Sequence, residues 1–202
     1  AYAHQTGSNN SAFGTQALYN DNGGTYNTAV GYRAIYSQAG ADYNTALGAF
    51  ALYTVSGNTN TAVGYAALYN QTTATTNSAL GYQAGYTNTT GTQNTFIGWK
   101  AGFSNTTGSG LTCVGQNAGL SSSTGDYSTY IGGGAGANTS GTQNTFVGNS
   151  AGYYTTSGAY NTYLGESAGV LMTTGSKNTI VGRYNGNQNG VDLRTASNYI
   201  VL

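Results

Sequence analysis

The chain has 202 residues, of which only 5 are Lys or Arg and 5 are Asp or Glu, so its formal net charge is zero. Ordinary soluble domains carry roughly a quarter charged residues, and five scattered cations cannot form the basic surface that a nucleic-acid partner requires. No apolar run approaches the roughly 20 residues of a membrane-spanning helix, and the first residues lack the basic and apolar regions of a signal peptide. We therefore expect neither nucleic-acid binding nor membrane insertion.

A sequence repeat follows a short lead-in at residues 1–9. The string Asn-Thr-Ala-Val-Gly at 27–31 recurs with variations in eleven copies from residue 10 onward, whose starts lie 17 or, in two places, 16 residues apart. Within each copy, position 2 is Ser or Thr, position 4 is a large apolar residue and position 5 is Gly, and position 8 is Ala in all copies but the last. Such a fixed period with almost no insertions indicates a solenoid in which each repeat makes one coil.

The residues of the repeat favour strands over helices. Gly, Asn and Thr at these densities have poor helix propensity, and a second Gly late in most repeats leaves space for strands of about 4 to 5 residues. We predict an all-β fold, a parallel β-solenoid or β-roll of eleven coils over residues 10–182, with residues 183–202 as a C-terminal cap or linker. At roughly 4.8 Å per coil it is a rod of about 50 Å. The Asn residues at position 1 are expected to stack and to satisfy backbone groups at the turns.

Positions 3 and 9 of the repeat change together along the chain. In the first four coils position 3 is Ala and position 9 is Leu or Ile, whereas from the sixth coil onward position 9 is Gly and position 3 is a larger residue. An exchange of small for large keeps the volume of a packed space constant, so positions 3 and 9 are predicted to face one buried compartment.

The orientation of position 3 bears on the oligomeric state. Side chains alternate along a strand, and we expect position 4 to point into its own coil and position 3 to point toward a partner chain. The residues that pack between chains are then Phe96, Tyr130, Phe146 and Tyr163. In the alternative, positions 3 and 9 meet inside one flattened solenoid.

The repeat strings resemble known fibrous proteins. Asn-Thr-Ala-Val-Gly-Tyr-x-Ala is similar to the head repeats of YadA-like trimeric adhesins, although those repeats are shorter and carry one more residue before the glycine. The strings resemble more closely the repeat regions of bacteriophage tail fibres, and residues 192–202 are similar to the stretch that precedes an intramolecular chaperone domain in such fibres. The resemblance implies a left-handed, homotrimeric β-roll in a virion or on an extracellular surface.

Catalytic and metal-binding residues are not evident. His4 is the single histidine, and the five carboxylates (Asp21, Asp42, Asp126, Glu166 and Asp192) fall in separate coils without the close pair that glycoside hydrolysis needs. Cys113 occupies position 3, where a small buried hydrophobe is expected rather than a reactive thiol. We predict no catalytic, cofactor-binding or metal-binding residues, no cofactor and no enzyme activity.

Recognition is expected at the variable positions 6 and 7, because residues that vary within a strict repeat do not build the stack. The candidate glycan-binding residues are Tyr32, Tyr65, Tyr82, Trp99 and Lys100. Aromatic faces beside amide and hydroxyl groups suit sugars, although the tyrosines could equally serve to rigidify the coil edges. The predicted partners are further copies of the chain and a host cell-surface glycan or protein.

The predicted function is that of a structural and adhesive segment of a phage fibre that attaches the particle to its host. The alternatives are a purely structural spacer and the head of a bacterial surface adhesin. Ice binding through the position-2 hydroxyls is a minor alternative, since these hydroxyls are expected to point inward with position 4.

Overall fold

The computed structural model describes residues 7–188 and 190–202, so His4 lies outside the described residues. Its strands are short, mostly three residues, and are separated by turns. They are β1 (Ser11–Phe13), β2 (Asn20–Asn22), β3 (Thr28–Val30), β4 (Ser37–Ala39), β5 (Thr45–Leu47), β6 (Thr54–Val55), β7 (Thr61–Val63), β8 (Ser78–Leu80), β9 (Thr95–Ile97), β10 (Thr112–Val114), β11 (Thr129–Ile131), β12 (Thr145–Val147), β13 (Thr162–Leu164), β14 (Thr179–Val181), β15 (Asn187–Gln188), β16 (Val191–Asp192) and β17 (Ile200–Val201). Within the described ranges no helix has the length and apolarity needed to cross a bilayer.

The strands confirm a parallel β-solenoid. One twelve-stranded sheet takes its first eleven strands from positions 2 to 4 of the eleven coils, in the order β1, β3, β5, then β7 to β14, and ends with β17. Each strand pairs in parallel with the same positions of the next coil, as Thr28 with Thr45 and Ala29 with Ala46. In the first three coils β2, β4 and β6 form a second parallel sheet.

The C-terminal segment extends the same sheet. After β14 the chain makes an antiparallel hairpin from β15 and β16. It then returns so that Ile200 pairs with Thr179 and Val201 with Ile180, in parallel. Residues 183–202 therefore supply a twelfth strand at the end of the stack.

The interior of the coil contains positions 3 and 9, as the exchange of their sizes predicted. A Cβ built on Gly152 would lie 2.5 Å from Cδ2 and Cε2 of Phe146, and one built on Gly169 would lie 2.7 Å from Cδ2 of Tyr163. In the N-terminal coils the same space is filled by buried Leu52 and Leu68 at position 9.

The prediction that position 3 faces a partner chain is wrong. Phe96, Tyr130, Phe146 and Tyr163 are all fully buried within the single chain. The strand alternation was correctly inferred, but its absolute orientation is the opposite of the expected one. Because the coil closes around position 3, aromatic rings at this position fill the core and are not available to another chain.

The outer face of the twelve-stranded sheet carries positions 2 and 4. The position-4 residues form a row of exposed or half-buried apolar side chains, which we call the apolar row: Phe13, Val30, Leu47, Val63, Leu80, Ile97, Val114, Ile131, Val147, Leu164 and Val181. Beside it runs a column of Ser and Thr at position 2, none of which is buried. The expectation that these hydroxyls and position 4 point inward is therefore also wrong.

Hydrogen bonds of the position-1 asparagines connect successive coils, as predicted. Asn27 Oδ1 accepts the backbone N–H of Asn44 at 2.8 Å, and its Nδ2 donates to the carbonyl of Ala41 at 2.8 Å. The pattern recurs at Asn94, whose side chain bonds the N–H of Leu111 and the carbonyl of Gly108. These amides are buried, so each satisfies backbone groups that water cannot reach.

Position 5 requires glycine because the coils approach closely there. Gly48 has a φ of 138°, and a Cβ at this residue would lie 2.5 Å from the carbonyl oxygen of Gly64 in the next coil. A side chain would push the coils apart, which explains the Gly at position 5 of the first ten coils.

Position 12 gives the core a polar side that the repeat analysis did not identify. In the middle coils its side chains bond turn carbonyls, as when Gln71 Nε2 donates to Ala74 O at 2.7 Å. Toward the C-terminus position 12 is Ser122, Thr139 and then Thr155, whose hydroxyls are buried, and those of Ser122 and Thr139 lie beside the hydroxyl of Tyr130. Burial raises the pKa of Tyr130 to about 12 and raises that of the fully buried Cys113 thiol still further.

Candidate functional site: an aromatic strip on the first six coils

Aromatic side chains cover one side of the N-terminal half of the solenoid. They stand in three columns, at positions 6, 7 and 10, which we call together the aromatic strip. Its members are Tyr19, Tyr32, Tyr36, Phe50, Tyr53, Tyr65, Tyr69, Tyr82, Tyr86, Trp99 and Phe103. Every one of these rings is at least partly exposed.

The position-10 column is a continuous stack of six rings. Centroids of successive rings from Tyr19 to Phe103 lie 4.7–5.3 Å apart, and their planes differ by 2–11°. This separation is close to the spacing of hydrogen-bonded parallel strands, because the backbone ladder holds the rings one above another. Burial and the neighbouring rings of Tyr53, Tyr86 and Tyr65 raise the pKa of Tyr69 in this stack, an effect that Arg33 opposes.

Backbone hydrogen bonds place the residues of positions 6 and 7. The N–H of Gln83 donates to the carbonyl of Tyr65 at 2.9 Å, and that of Lys100 donates to the carbonyl of Tyr82 at 2.9 Å. Gln83 and Lys100 both have a φ of 53°, in the left-handed region that turns the chain sharply at position 7. The same turn in successive coils aligns their side chains in columns.

The structure brings four of the five candidate glycan-binding residues together. Tyr65, Tyr82 and Trp99 stack in sequence with centroids 5.3 and 6.3 Å apart, and the ammonium of Lys100 lies 4.7 Å from the centroid of Trp99. The fifth, Tyr32, reaches this group only through Phe50, whose ring lies 5.2 Å from Tyr32 and 5.8 Å from Tyr65.

Phe50 and the position-10 rings belong to the strip but were not among the candidates. Phe50 links the columns, because its ring also lies 5.9 Å from Tyr53 and 6.2 Å from Tyr69. Tyr recurs at position 10 in the first five coils and Phe in the sixth, a regularity visible in the sequence. The contact between columns 6, 7 and 10 is not visible there, because it depends on the path of the turn.

A small concavity lies in the middle of the strip, where column 7 carries a small residue. Ala66 forms its floor, Phe50 and Gln83 close its two ends along the column, and Tyr65, Tyr69 and Tyr86 line its sides. Its volume is about 120 Å³. We call it the Ala66 notch. An amide at one end and aromatic faces around it match the mixture of apolar surface and hydrogen-bonding groups on a sugar ring.

The carboxylates are not members of this strip, and those of Asp42, Asp126 and Glu166 bond turn amides or form an ion pair. Asp42 Oδ1 accepts the N–H of Thr25 at 2.7 Å, and Asp126 Oδ1 accepts the N–H of Ser109 at 2.8 Å. Glu166 pairs with Arg183 at 3.5 Å. Among the described residues, no group of three or more His, Cys, Asp or Glu side chains is placed to hold a metal ion.

The fold defines this chain as a β-solenoid repeat protein with an aromatic surface on its N-terminal half. Comparisons of the sequence and structure with protein-family models, with curated proteins and with solved structures find no match.

Proposed function

We propose that this chain is a structural and adhesive segment of a bacteriophage tail fibre, a left-handed homotrimeric β-roll that attaches the particle to its host through cell-surface glycans. The observation that carries the adhesive part is the aromatic strip with the Ala66 notch, a concave aromatic surface on a rigid and otherwise regular rod. The virion or an extracellular surface is the corresponding location, and no catalytic role is assigned.

The apolar row supports self-association. Eleven large apolar residues follow one another on the outer sheet face, with Leu47, Leu80 and Leu164 about half exposed. At roughly 70 Å² each they present on the order of 800 Å², which is the area that one partner contributes to a standard interface. Exposed apolar patches of this size mark interaction surfaces. The row has no charge and repeats at every coil, so a further copy of the same chain matches it in length and spacing.

Molar mass in solution tests the trimer. We expect three times the 20.6 kDa of the chain from size exclusion with light scattering. Leu80→Asp combined with Ile131→Asp places charges on the apolar row and should give monomers, whereas Tyr127→Asp, at an exposed aromatic residue off the row, should not. A monomeric wild-type chain at micromolar concentration would contradict the trimer.

Attachment tests the adhesive role against a purely structural spacer. We expect the triple variant with Tyr65, Tyr82 and Trp99 changed to Ala to lose binding to bacterial cells that capture the wild-type chain, with the trimer preserved. The matched control changes Tyr127, Tyr154 and Tyr160, which are more exposed than the three tested residues but lie outside the strip, to Ala. Equal attachment of all three proteins would favour the spacer. A bacterial adhesin head remains the other alternative, and a signal peptide and membrane anchor in the full-length gene would mark it.

Ice binding is a second candidate function, which the outward orientation of position 2 favours. A parallel sheet with a column of Thr and Ser beside a column of apolar residues presents hydroxyl and methyl groups at a regular spacing of roughly 4.8 Å. This function requires the outer face to be free, so a trimer that buries the apolar row and ice binding exclude each other. We expect a monomeric chain to shape growing ice crystals, and Thr112→Tyr to abolish the effect. Ice crystals that grow unmodified in the presence of the chain would rule out ice binding.

A further inference from the structure

Two cations lie on the aromatic strip, one on each side of the Ala66 notch. Arg33 and Lys100 both occupy position 7, the column that contains Ala66, and each lies two coils from it. With successive coils roughly 4.8 Å apart, the two cations are roughly 19 Å from each other along the column. An oligosaccharide of a few residues spans this distance.

Both cations lie against aromatic rings, and among the described residues neither is paired with a carboxylate. The Arg33 guanidinium lies 5.0 Å from the centroid of Tyr32 and 5.1 Å from that of Tyr36, and its Nε donates to Gln16 Oε1 at 2.6 Å. The Lys100 ammonium lies 4.7 Å from the centroid of Trp99 and 5.1 Å from that of Phe103.

Two cations outside the strip do pair with carboxylates. Arg183 contacts Glu166 at 3.5 Å, and Arg194 contacts Asp192 at 2.7 Å. Within residues 7–188 and 190–202 neither Arg33 nor Lys100 has such a partner, and no Asp or Glu belongs to the strip. The strip is therefore a locally cationic surface on a chain whose net charge is zero.

We infer that the strip binds an acidic oligosaccharide, with one sugar ring in the Ala66 notch and its anionic groups near Arg33 and Lys100. This inference rests on the proposed glycan-binding function and adds the charge of the ligand. The anionic groups are carboxylates or phosphates, both of which pair with guanidinium and ammonium groups. The ring contacts Tyr65, Tyr69 and Tyr86 through its C–H face, and the Gln83 amide bonds its hydroxyls.

The cations then contribute specificity. Charge-assisted hydrogen bonds to an anion are stronger than those between neutral groups, but the strip is exposed, so each pair adds only modest affinity and is screened by salt. An acidic oligosaccharide should therefore bind more tightly than its neutral counterpart, by about tenfold at low ionic strength for two pairs, and the difference should shrink as salt is added.

The test uses the full chain on an array of paired oligosaccharides. Uronic-acid oligomers are printed beside their carboxyl-reduced forms, and phosphorylated oligomers beside their dephosphorylated forms, so the array also tells carboxylates from phosphates. The variants are Arg33→Gln with Lys100→Gln, Ala66→Phe, and the control Lys177→Gln, which removes an exposed cation outside the strip. Ala66→Phe should fold, because Phe50 occupies the same position with a similar φ, 59° against 53°.

We expect the wild-type chain and Lys177→Gln to prefer the acidic member of a pair. The double variant should bind acidic members roughly tenfold more weakly and lose its preference for them, and Ala66→Phe should lose binding to acidic and neutral members alike. If the double variant still prefers the acidic member of a pair, Arg33 and Lys100 do not bind the anionic groups and the proposed site is wrong. Equal binding of acidic and neutral members would overturn the inference while leaving glycan binding in place, whereas binding to no glycan would overturn both.

Discussion

The conclusion that positions 3 and 9 fill one shared space can be tested in a C-terminal coil. The test replaces its large residue at position 3 and its Gly at position 9 by the Ala and Leu found in the N-terminal coils. Phe146 and Gly152 form such a pair, since the ring is fully buried and a Cβ on Gly152 would lie 2.5 Å from two of its atoms. The double variant Phe146→Ala, Gly152→Leu recreates the combination found at Ala62 and Leu68. Leu68 is buried with a φ of 49°, close to the 61° of Gly152, so the backbone at position 9 accepts a Leu.

The two single changes should each destabilise the fold. Phe146→Ala leaves a cavity where a buried ring was, which costs about 3–5 kcal/mol. Gly152→Leu overpacks the core against Phe146 by about 1–3 kcal/mol or more. In the double variant the Leu side chain fills the space of the ring, and the residual cost is about 1–2 kcal/mol. Most of this cost is the lost stacking of Phe146 on Tyr163, whose centroids lie 4.6 Å apart.

This coupling is measured from the free energies of unfolding of the single and double variants, in thermal and urea unfolding monitored by circular dichroism. The matched control combines Phe146→Ala with Gly102→Leu, three coils away, where the two effects should add because the residues share no partner. If the Phe146→Ala, Gly152→Leu protein is as unstable as the sum of its single variants, positions 3 and 9 do not share one compartment and the reasoning fails.

Three further predictions concern the core. Asn94→Ala should destabilise by about 1–3 kcal/mol in urea unfolding, because the N–H of Leu111 loses its buried partner, whereas the carbonyl of Gly108 keeps its bond from Asn105 Nδ2. Tyr130, with its pKa raised to about 12, should remain neutral in the folded chain when exposed tyrosines ionise. Unfolding releases its proton above pH 10, so stability falls by roughly 2 kcal/mol from pH 10 to 12, and Tyr130→Phe should remove this part of the fall. Cys113, fully buried with a raised pKa, should not react with a thiol reagent until the chain unfolds.

Each of these has a control or a contradicting result. Asn149→Ala, at an exposed asparagine, should leave stability within about 0.5 kcal/mol of the wild type. An absorbance titration at 295 nm in which every tyrosine of the folded chain ionises near pH 10 would contradict the buried state of Tyr130. Labelling of Cys113 in the native chain at the rate of a free thiol would contradict the closed core.

The solenoid, the coil length and the axial contacts between coils can all be predicted from the sequence. These features repeat at one period, so the residues that produce each of them recur many times in the sequence. Gly48 and its equivalents mark the closest approach of neighbouring coils, and the asparagine column marks the hydrogen bonds between them. The small-for-large exchange between positions 3 and 9 revealed a shared space, because a packed core conserves its volume.

Which side of the strand faces inward, and which surfaces come together, depends on how the coil closes in three dimensions. Alternation along β9 shows that Phe96 and Ile97 point to opposite sides, but both are large and apolar, so the pattern does not say which one the coil encloses. The closed path of the coil decides it, since the turn at position 7 and the buried polar residues at position 12 bring the chain around position 3. The same turn places Phe50 between the columns of Tyr65 and Tyr69, and so creates the notch from residues that no local pattern connects.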